Sequence, residues 1–259
     1  MKRALVTGAS AGIGAGFARR LSKDGWALVL VARRRERLEA LREELGGEVE
    51  VLAADLASEA GVNAAAERVA RGDLELLVNN AGFGTIGAFA ELPLAREMAE
   101  IDLLVRAVVR LTHAGLSGMI PRGRGGILNV ASMAAFQPVP FNAVYAASKA
   151  FVLSFSESVH EEARPHGVTV TCTCLGPVRT EFQRVAKLDG KKLPHRKLMR
   201  AMARTGIDEV VEASLRAVLR GDAVCVPGAL NAVIAKASQA VPRPIVRRMS
   251  GRVYRGQKS

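Results

Sequence analysis

The chain has 259 residues, of which 49% are hydrophobic and 4% aromatic, and its formal net charge is +12. This length suits one large α/β domain or two small ones, with enough apolar residues for a sizeable core. Because no run of about 20 apolar residues suggests a membrane span and no apolar stretch near the N-terminus suggests a signal peptide, we expect a cytoplasmic protein.

Short apolar segments, rich in β-branched residues, alternate with helix-length segments along the chain. The predicted strands are residues 4–7, 27–31, 49–53, 74–79, 127–132, 168–174 and 223–226, and the predicted helices include residues 38–45, 60–70, 94–119 and 146–163. Strands that are apolar on both faces are typical of a buried parallel sheet. The alternation therefore predicts a doubly wound α/β fold with seven parallel strands and helices on both faces. No repeat or linker interrupts residues 1–259, which we predict form one domain.

The first predicted strand runs into the glycine-rich sequence TGASAGIG at residues 7–14. Gly8 would allow a sharp turn, Gly12 a close approach of the backbone to a pyrophosphate, and Gly14 tight packing of the following helix. The N–H groups and partial positive charge at that helix N-terminus favour an anion. The loop predicts a dinucleotide site, and the alternative is an ordinary tight turn between strand and helix. The predicted contacts are Gly8, Ser10, Ala11, Gly12, Ile13 and Gly14.

The spacing TGxxxGxG resembles the fingerprint of the short-chain dehydrogenase/reductase family, and further motifs follow in the family's order. They are DL at Asp55 and Leu56, NNAG at residues 79–82, Ser132 with the YxxxK pair Tyr145 and Lys149, and LGPVRT at residues 175–180. The resemblance spans roughly residues 2–227 and implies a Rossmann-like fold. It also implies cofactor contacts at Asp55, Leu56, Asn80, Ala81, Gly82, Tyr145, Lys149, Gly176, Pro177, Val178 and Thr180.

The second predicted strand leads into Ala32, which Arg33, Arg34 and Arg35 follow. Relatives that prefer NAD usually have an aspartate at this strand end, where it bonds the ribose 2′-hydroxyl. An arginine would instead pair with a 2′-phosphate, so Arg33 predicts NADP(H) in preference to NAD(H). The alternative is that these arginines are the solvated start of a helix, an interpretation that suits Arg34 and Arg35.

The resemblance assigns the chemistry to Ser132, Tyr145 and Lys149. Tyr145 would be the general acid/base, Lys149 would tune it and hold the nicotinamide ribose, and Ser132 would hydrogen-bond the substrate oxygen. A free tyrosine has a pKa of about 10, which a nearby ammonium would lower, and residues four apart share one side of a helix. Taken alone, Ser132 could be an ordinary cap or loop residue at a strand end, and Tyr145 and Lys149 could be an ordinary pair on a helix surface. Their joint spacing favours hydride transfer between nicotinamide and a carbonyl or secondary alcohol.

Two positions depart from the family pattern. Leu104 stands where relatives have an asparagine that helps position a proton-relaying water, and Asp102 is the nearest polar residue, on a different helix face. A leucine keeps the main-chain carbonyl but not the side-chain hydrogen bonds, so our hypothesis is a working enzyme with a modified relay. The alternative is a catalytically impaired NADP-binding sensor or scaffold. Leu175 replaces a proline, which predicts a looser strand exit without loss of cofactor binding.

The segment 181–205 is predicted to form a lid over the substrate, as in the family. Residues 182–204 contain eight basic residues and one acid, mixed with apolar ones. The apolar residues around Ser132 are Met133, Phe136, Val139 and Phe141. An apolar pocket under a cationic lid predicts a hydrophobic keto substrate with an anionic head, such as an acyl thioester or acyl carrier. The alternative is a solvated lid with ordinary surface charge.

The C-terminal segment, residues 236–259, contains seven basic residues and no acid. A helix from Pro242 would place an apolar arc opposite its arginines. The apolar residues of that arc are Ile245, Val246, Met249 and Val253. This basic amphipathic helix would pack on the protein itself, on a partner subunit, or on an anionic membrane at the inner face. The scarcity of aromatic residues argues against nucleic acid.

The resemblance also implies assembly. Relatives are often homodimers or homotetramers formed through the two long helices that here contain Leu104 and Tyr145, so we expect a homo-oligomer.

The cysteines and histidines predict no metal site. Cys172, Cys174 and Cys225 form no CxxC motif and are predicted to be free thiols in a reducing compartment. The histidines, which show no ligand spacing with one another or with cysteine, are His113, His160, His166 and His195.

Overall fold

The computed structural model describes residues 1–178 and 205–255. Seven parallel strands form one sheet in the order β3-β2-β1-β4-β5-β6-β7. The strands are β1 (Arg3–Thr7), β2 (Ala27–Ala32), β3 (Val49–Ala53), β4 (Leu76–Asn79), β5 (Gly125–Ser132), β6 (Val168–Leu175) and β7 (Val224–Cys225). The predicted fold class is confirmed, and every predicted strand boundary lies within two residues of the observed one.

Helices cover the sheet on both faces. They are α1 (Gly12–Lys23), α2 (Arg35–Leu45), α3 (Glu59–Ala70), α4 (Leu94–Ile101), α5 (Ala107–Arg122), α6 (Ala143–Ala163), α7 (Ile207–Arg220), α8 (Ala229–Ala240) and α9 (Arg243–Arg255). The stretch 94–119 was predicted as one helix. It continues to Arg122, but one π-helical turn, Asp102–Arg106, separates α4 from α5. Such turns inside helices frequently occur at functional sites.

The core has two layers because successive residues of each strand point to opposite faces. In β1, Ala4 and Val6 belong to the apolar cluster formed with α1, α2 and α7, whereas Leu5 belongs to the cluster formed with α3, α5 and α6. All three side chains are fully buried. Burial on both faces explains why the strands are apolar throughout instead of alternating.

The strand order reverses between β1 and β4, which are neighbours in the sheet. In open parallel sheets, ligands bind beyond the carboxyl ends of the strands at such a reversal. Thr7 ends β1 and Asn79 ends β4. The glycine-rich loop and the NNAG loop therefore emerge side by side at the place where this fold binds ligands.

One helical run among the described residues, 94–122, is long and apolar enough to cross a membrane by length and composition. Core helices pass the same test. Here the run packs against the sheet through buried residues that include Leu104, Leu111 and Met119, and we attribute its apolar character to that packing.

The predicted C-terminal helix is present as α9, which begins one residue after Pro242. Arg247 and Arg248 are exposed, and Ile245 is half exposed. The surface on which α9 acts stays a prediction. Of the predicted lid, only Thr205 belongs to the described residues, and Thr180 lies outside them.

The three cysteines form no disulfide within the described residues. Cys172 and Cys174 are buried on one face of β6, with their sulfur atoms 3.9 Å apart. In residues 1–178 and 205–255, no cluster of three or more metal-ligating side chains occurs.

Candidate active site

The glycine-rich loop after β1 has a backbone shape that requires its glycines. Gly8 has a φ of 67°, in the left-handed region, and its N–H donates to the Val31 carbonyl over 2.8 Å. A Cβ on Gly14 would lie 2.3 Å from the Gly8 carbonyl oxygen. Ala11 precedes α1 and provides no side-chain cap, so the helix N-terminus suits an anion. The cradle fits a dinucleotide pyrophosphate. Its half-buried members are Ser10, Ala11, Gly12 and Ile13.

Thr7 joins this loop to the end of β4. Its hydroxyl donates to the Val78 carbonyl over 3.2 Å and accepts from the backbone N–H groups of Asn80 and Ala81 over 2.9 and 3.0 Å. The side-chain amide of Asn80 donates to the Thr7 carbonyl over 2.9 Å. The side chain of Asn80, a predicted cofactor contact, thus holds the two loops together, while Gly82 beyond it is exposed.

The loops after β2 and β3 carry the residues predicted to select the cofactor. Arg33 and Asp55 are exposed, and Leu56 is buried. Arg34 Nη2 donates to Ser10 Oγ in the glycine-rich loop over 3.1 Å. Arg34 is exposed and directly precedes α2, as the solvated-start interpretation expects, but its guanidinium also reaches the glycine-rich loop. Three consecutive arginines gave no signal for which one turns toward the loop, because the turn before α2 decides it.

Ser132, Tyr145 and Lys149 come together at the carboxyl end of β5. Ser132 is the last residue of β5, and its hydroxyl hydrogen-bonds with Tyr145 and accepts from the Ala134 N–H over 3.2 Å. Lys149 follows one turn later on α6, with its Nζ 5.7 Å from the centre of the Tyr145 ring. The strand end thus presents the serine, and one face of α6 presents the other two.

Burial controls the proton affinity of Tyr145. It raises the pKa of the phenol to about 12, the hydrogen bond with Ser132 acts in the opposite direction, and the negative charge of Glu100 adds to the rise. We predicted that Lys149 would lower this pKa. That prediction is wrong for this structure, because removal of the phenol from water outweighs the other influences.

Lys149 is a buried cation, with only 5% of its surface exposed. Burial lowers the pKa of its ammonium to about 8, while Cys172, Cys174 and Glu100 act to raise it. Nζ donates to the Val130 carbonyl over 2.7 Å. This strand carbonyl fixes the direction of the ammonium and partly replaces its lost hydration.

Leu104 fills the space beside Lys149. A Cβ on Gly82 would lie 3.0 Å from Leu104 Cδ2 and 4.0 Å from Lys149 Nζ, so these three residues meet. Leu104 lies in the π-helical turn and is fully buried. Asp102 pairs with Arg106 over 3.3 Å. The side chain that lies beside Lys149 at this point is therefore the apolar Leu104.

Two buried carboxyl groups on α4 were missed by the sequence interpretation. Thr85 Oγ1 lies 2.5 Å from Glu97 Oε1 and 3.1 Å from Glu100 Oε2. Glu97 and Glu100 are 2% and 0% exposed. Their spacing of three residues places them on one helix face, which was the available signal. However, glutamates on a helix ordinarily face solvent.

Leu175 does not loosen the exit of β6. It pairs with Ser132 in the sheet register and is buried. The predicted looser exit is wrong, because a leucine keeps the N–H that proline lacks and extends the strand by one residue. A Cβ on Gly176 would lie 2.4 Å from Asn231 Nδ2, so α8 packs closely on this loop. The half-buried residues after the strand are Gly176, Pro177 and Val178.

An apolar wall lies beside Ser132, and α8 supplies part of it. Met133 and Ala235 are buried together, with Phe136, Val226 and Ile234 packed against them. The sequence predicted Met133 and Phe136 here but gave no signal for the α8 residues, which are about 100 positions away in the chain. Of the other predicted apolar residues, Val139 is half-buried.

Phe141, just before α6, has a φ of 64°, unique among the non-glycine residues that the structure describes. Its carbonyl accepts from the Gly87 N–H over 3.0 Å. Residues held in this region cluster at binding sites, and Phe141 lies four residues before Tyr145.

Comparison with known proteins agrees with this geometry. The family model described as short chain dehydrogenase matches residues 2–190. The chain belongs to the short-chain dehydrogenase family. Together with the relatives described next, this match makes it an NAD(P)-dependent oxidoreductase of the dehydrogenase/reductase type.

Three similar proteins illustrate the family. Sulfoacetaldehyde reductase 2 of Chromohalobacter salexigens is 38% identical over 69% of this chain and 73% of its own. A very-long-chain 3-oxoacyl-CoA reductase of Pyrenophora tritici-repentis is 35% identical over 71% of this chain and 57% of its own. A solved short-chain dehydrogenase from Sphingobium yanoikuyae, in complex with NADPH, is 32% identical with a TM-score of 0.80, over 94% and 97% of the two chains.

Gly14→Ala should weaken NADPH binding about 10- to 100-fold, because the new methyl group would overlap the Gly8 carbonyl and displace the cradle. Calorimetric titration with NADPH measures the effect. Gly206→Ala is the matched control, since a Cβ there meets no atom of the described residues within 4 Å. Equal affinities of Gly14→Ala and wild type would show that the cradle does not hold the cofactor.

Proposed function

We propose that this enzyme is an NADP(H)-dependent carbonyl reductase, equally able to oxidise the corresponding secondary alcohol, for a hydrophobic keto substrate of the 3-oxoacyl type. The observation that carries the proposal is the meeting of Ser132, Tyr145 and Lys149 at the end of β5, beside the glycine-rich cradle. We propose these three as the catalytic residues.

The chain's own groups supply the proton chemistry. A phenol with a pKa of about 12 is protonated at neutral pH, so Tyr145 is poised as the acid that protonates the carbonyl oxygen during reduction. Ser132 orients that oxygen by a hydrogen bond. Lys149 stabilises the negative charge left on the Tyr145 oxygen after the proton has moved. When bound, the reduced nicotinamide supplies the hydride that the carbonyl carbon receives.

The cofactor preference rests on the charge after β2. Ala32 occupies the strand end without a carboxylate, Arg33 and Arg34 follow it and are exposed, and Arg34 reaches the glycine-rich loop. Two guanidinium groups suit a 2′-phosphate, and the similar structure from Sphingobium yanoikuyae contains NADPH. We therefore propose NADP(H) in preference to NAD(H).

The substrate class rests on the wall formed by Met133, Phe136 and α8, together with the basic residues of 182–204. Two of the relatives are named as reductases of sulfoacetaldehyde and of very-long-chain 3-oxoacyl-CoA. Both compounds combine a carbonyl group with an anionic one. The two names support a carbonyl substrate that carries a negative charge, and the wall beside Ser132 supports its apolar part.

Assembly and location stay predictions. Phe151 on α6 is 41% exposed and stacks on Phe155 with the ring centres 5.7 Å apart. This apolar surface supports the proposed homodimer or homotetramer. A cytoplasmic location, with α9 at a membrane surface as one option, is likewise proposed from the sequence alone.

Tyr145→Phe should lower kcat at least about 100-fold and change the Kd for NADPH far less, because it removes the proton donor and one predicted cofactor contact but leaves the cradle in place. The assay is substrate-dependent loss of NADPH absorbance with 3-oxoacyl thioesters, steroid ketones, aryl ketones and sulfoacetaldehyde. Tyr254→Phe, at the only other tyrosine, is the control. If wild type turned over no carbonyl compound and Leu104→Asn did, the sensor or scaffold alternative would replace this proposal.

Arg33→Ala and Arg34→Ala should each raise the Kd for NADPH about 10-fold and change the Kd for NADH little, since only NADPH carries the 2′-phosphate. Arg35→Ala is the matched control, because Arg35 pairs with Glu39 on α2 over 3.5 Å. Tighter binding of NADH than of NADPH by wild type would refute the proposed preference.

A further inference from the structure

The buried group formed by Thr85, Glu97 and Glu100, here called the carboxyl pair, lies between α4 and the loop after β4. Thr85 also connects this group to the start of α6, because its carbonyl accepts a hydrogen bond from the Asn142 side chain. Oε1 of Glu100 has no hydrogen-bond partner among the described residues. A fully buried carboxyl group with one unpartnered oxygen is costly when it is charged.

The hydrogen-bond geometry requires a proton in this group. The Thr85 hydroxyl has one hydrogen, yet its oxygen lies within hydrogen-bond distance of both carboxyl groups. If both were ionised, only one contact would contain a hydrogen. A proton on either carboxyl group satisfies both contacts, because that group then donates to Thr85 Oγ1 and Thr85 donates to the other. We place the proton on Glu100, which is fully buried and whose Oε1 has no hydrogen-bond partner among the described residues. Burial raises the pKa of Glu100 to about 7; the hydrogen bond with Thr85 lowers it and the charge of Glu97 raises it further.

The charge of Glu100 acts on the catalytic helix. The groups facing it are Glu97 on its own helix and Lys149 and Tyr145 on α6. Asp102 and Arg106 of the adjoining π-helical turn pair with each other, and Arg106 also binds Glu59. Lys149 is faced in addition by the thiols of Cys172 and Cys174 on β6.

We propose that Glu100 is a positioning residue for the hydride-transfer site. This buried carboxyl group gains and loses a proton and thereby sets the charge that acts on Lys149. Leu104, which lies beside Lys149, provides no polar side chain. The proposal rests on the proposed function of Lys149. When Glu100 is ionised, its charge holds the ammonium of Lys149 against deprotonation and holds the proton on Tyr145. When Glu100 is protonated, its negative charge is lost, so that it no longer favours the ammonium form of Lys149 or the protonated form of Tyr145. The proton released by Glu100 leaves to solvent, so the step is a simple acid dissociation.

The sign of the effect follows from these charges. Glu100→Gln keeps the size and hydrogen-bonding capacity of the side chain but removes the negative charge, so the pKa of Lys149 should fall below its wild-type value by roughly one unit. Glu97→Gln is the matched substitution one helical turn earlier. It removes the like charge from Glu100, so Glu100 should ionise at lower pH than in wild type.

The test is an NMR titration of the whole protein, with 13Cδ-labelled glutamate and 13Cε-labelled lysine. A range of about pH 5–9 includes the expected pKa values of Glu100 and Lys149. The Glu100 and Lys149 signals are assigned by their loss in Glu100→Gln and Lys149→Arg. The proposal expects Glu100 to titrate near neutrality, to shift to lower pH in Glu97→Gln, and Lys149 to shift to lower pH in Glu100→Gln. In any active preparation, the basic limb of kcat/KM against pH should shift in the same direction as Lys149.

An unchanged titration of Lys149 in Glu100→Gln, or titration of Glu100 near the value of an ordinary glutamate, would overturn the proposal. If Glu100→Gln fails to fold, Thr85→Val replaces it: loss of the hydroxyl should raise the pKa of Glu100 and thereby shift the Lys149 titration, assigned by Lys149→Arg, to lower pH, and no shift would equally overturn the proposal. The titrations need no substrate. Failure of the proposed reductase activity would therefore appear separately, as absence of turnover in wild type.

Discussion

The site depends on one buried charge, the ammonium of Lys149. It is held by the Val130 carbonyl inside the carboxyl end of the sheet, where a cation is costly unless its surroundings compensate it. A carbonyl of β5 can reach it because α6 packs across the end of that strand. Tyr145 shares the same helix face, and Ser132 ends the same strand. The three groups are thus placed relative to one another by a single strand–helix contact, and their separation depends little on the surface loops.

The cofactor cradle depends on the same edge of the sheet through a different constraint. The Thr7 hydroxyl, at the end of β1, accepts hydrogen bonds from the backbone after β4, and the side-chain amide of Asn80 donates to the Thr7 carbonyl. With these loops joined, the contact between Gly8 and Gly14 leaves no space for a side chain. The cradle and the tyrosine–lysine pair lie on opposite sides of the strand reversal. A cofactor that spans the reversal therefore meets both, which is why this position in the fold suits dinucleotide chemistry.

Sequence alone predicted the sheet and the placement of Ser132, Tyr145 and Lys149, because strand–helix periodicity and local spacing carry that information. It could not predict contacts that depend on tertiary packing. The bond from Arg34 to Ser10 depends on how the chain turns before α2, and Ala235 and Ile234 reach the substrate wall only because α8 folds back. The pKa of Tyr145 was misjudged for the same reason. The spacing shows that a lysine is near Tyr145, but it does not show that burial raises the pKa of the phenol.

The departure at Leu104 and the carboxyl pair are best understood together. An asparagine at position 104 would present a neutral polar group to Lys149, whose effect would not change with pH. Leu104 presents only hydrocarbon, and the carboxyl group that acts on Lys149, together with the thiols of Cys172 and Cys174, is Glu100, one turn earlier on the preceding helix. A carboxyl group that is half ionised near neutrality changes its charge over a narrow pH range. With leucine in place of an asparagine at position 104, the environment of Lys149 therefore depends on the titratable carboxyl group of Glu100 instead of on a neutral amide. The ionised form of Glu100 favours both the ammonium of Lys149 and the protonated form of Tyr145. Carbonyl reduction consumes the Tyr145 proton, so ionised Glu100 would make the loss of that proton less favourable and its recovery from solvent more favourable.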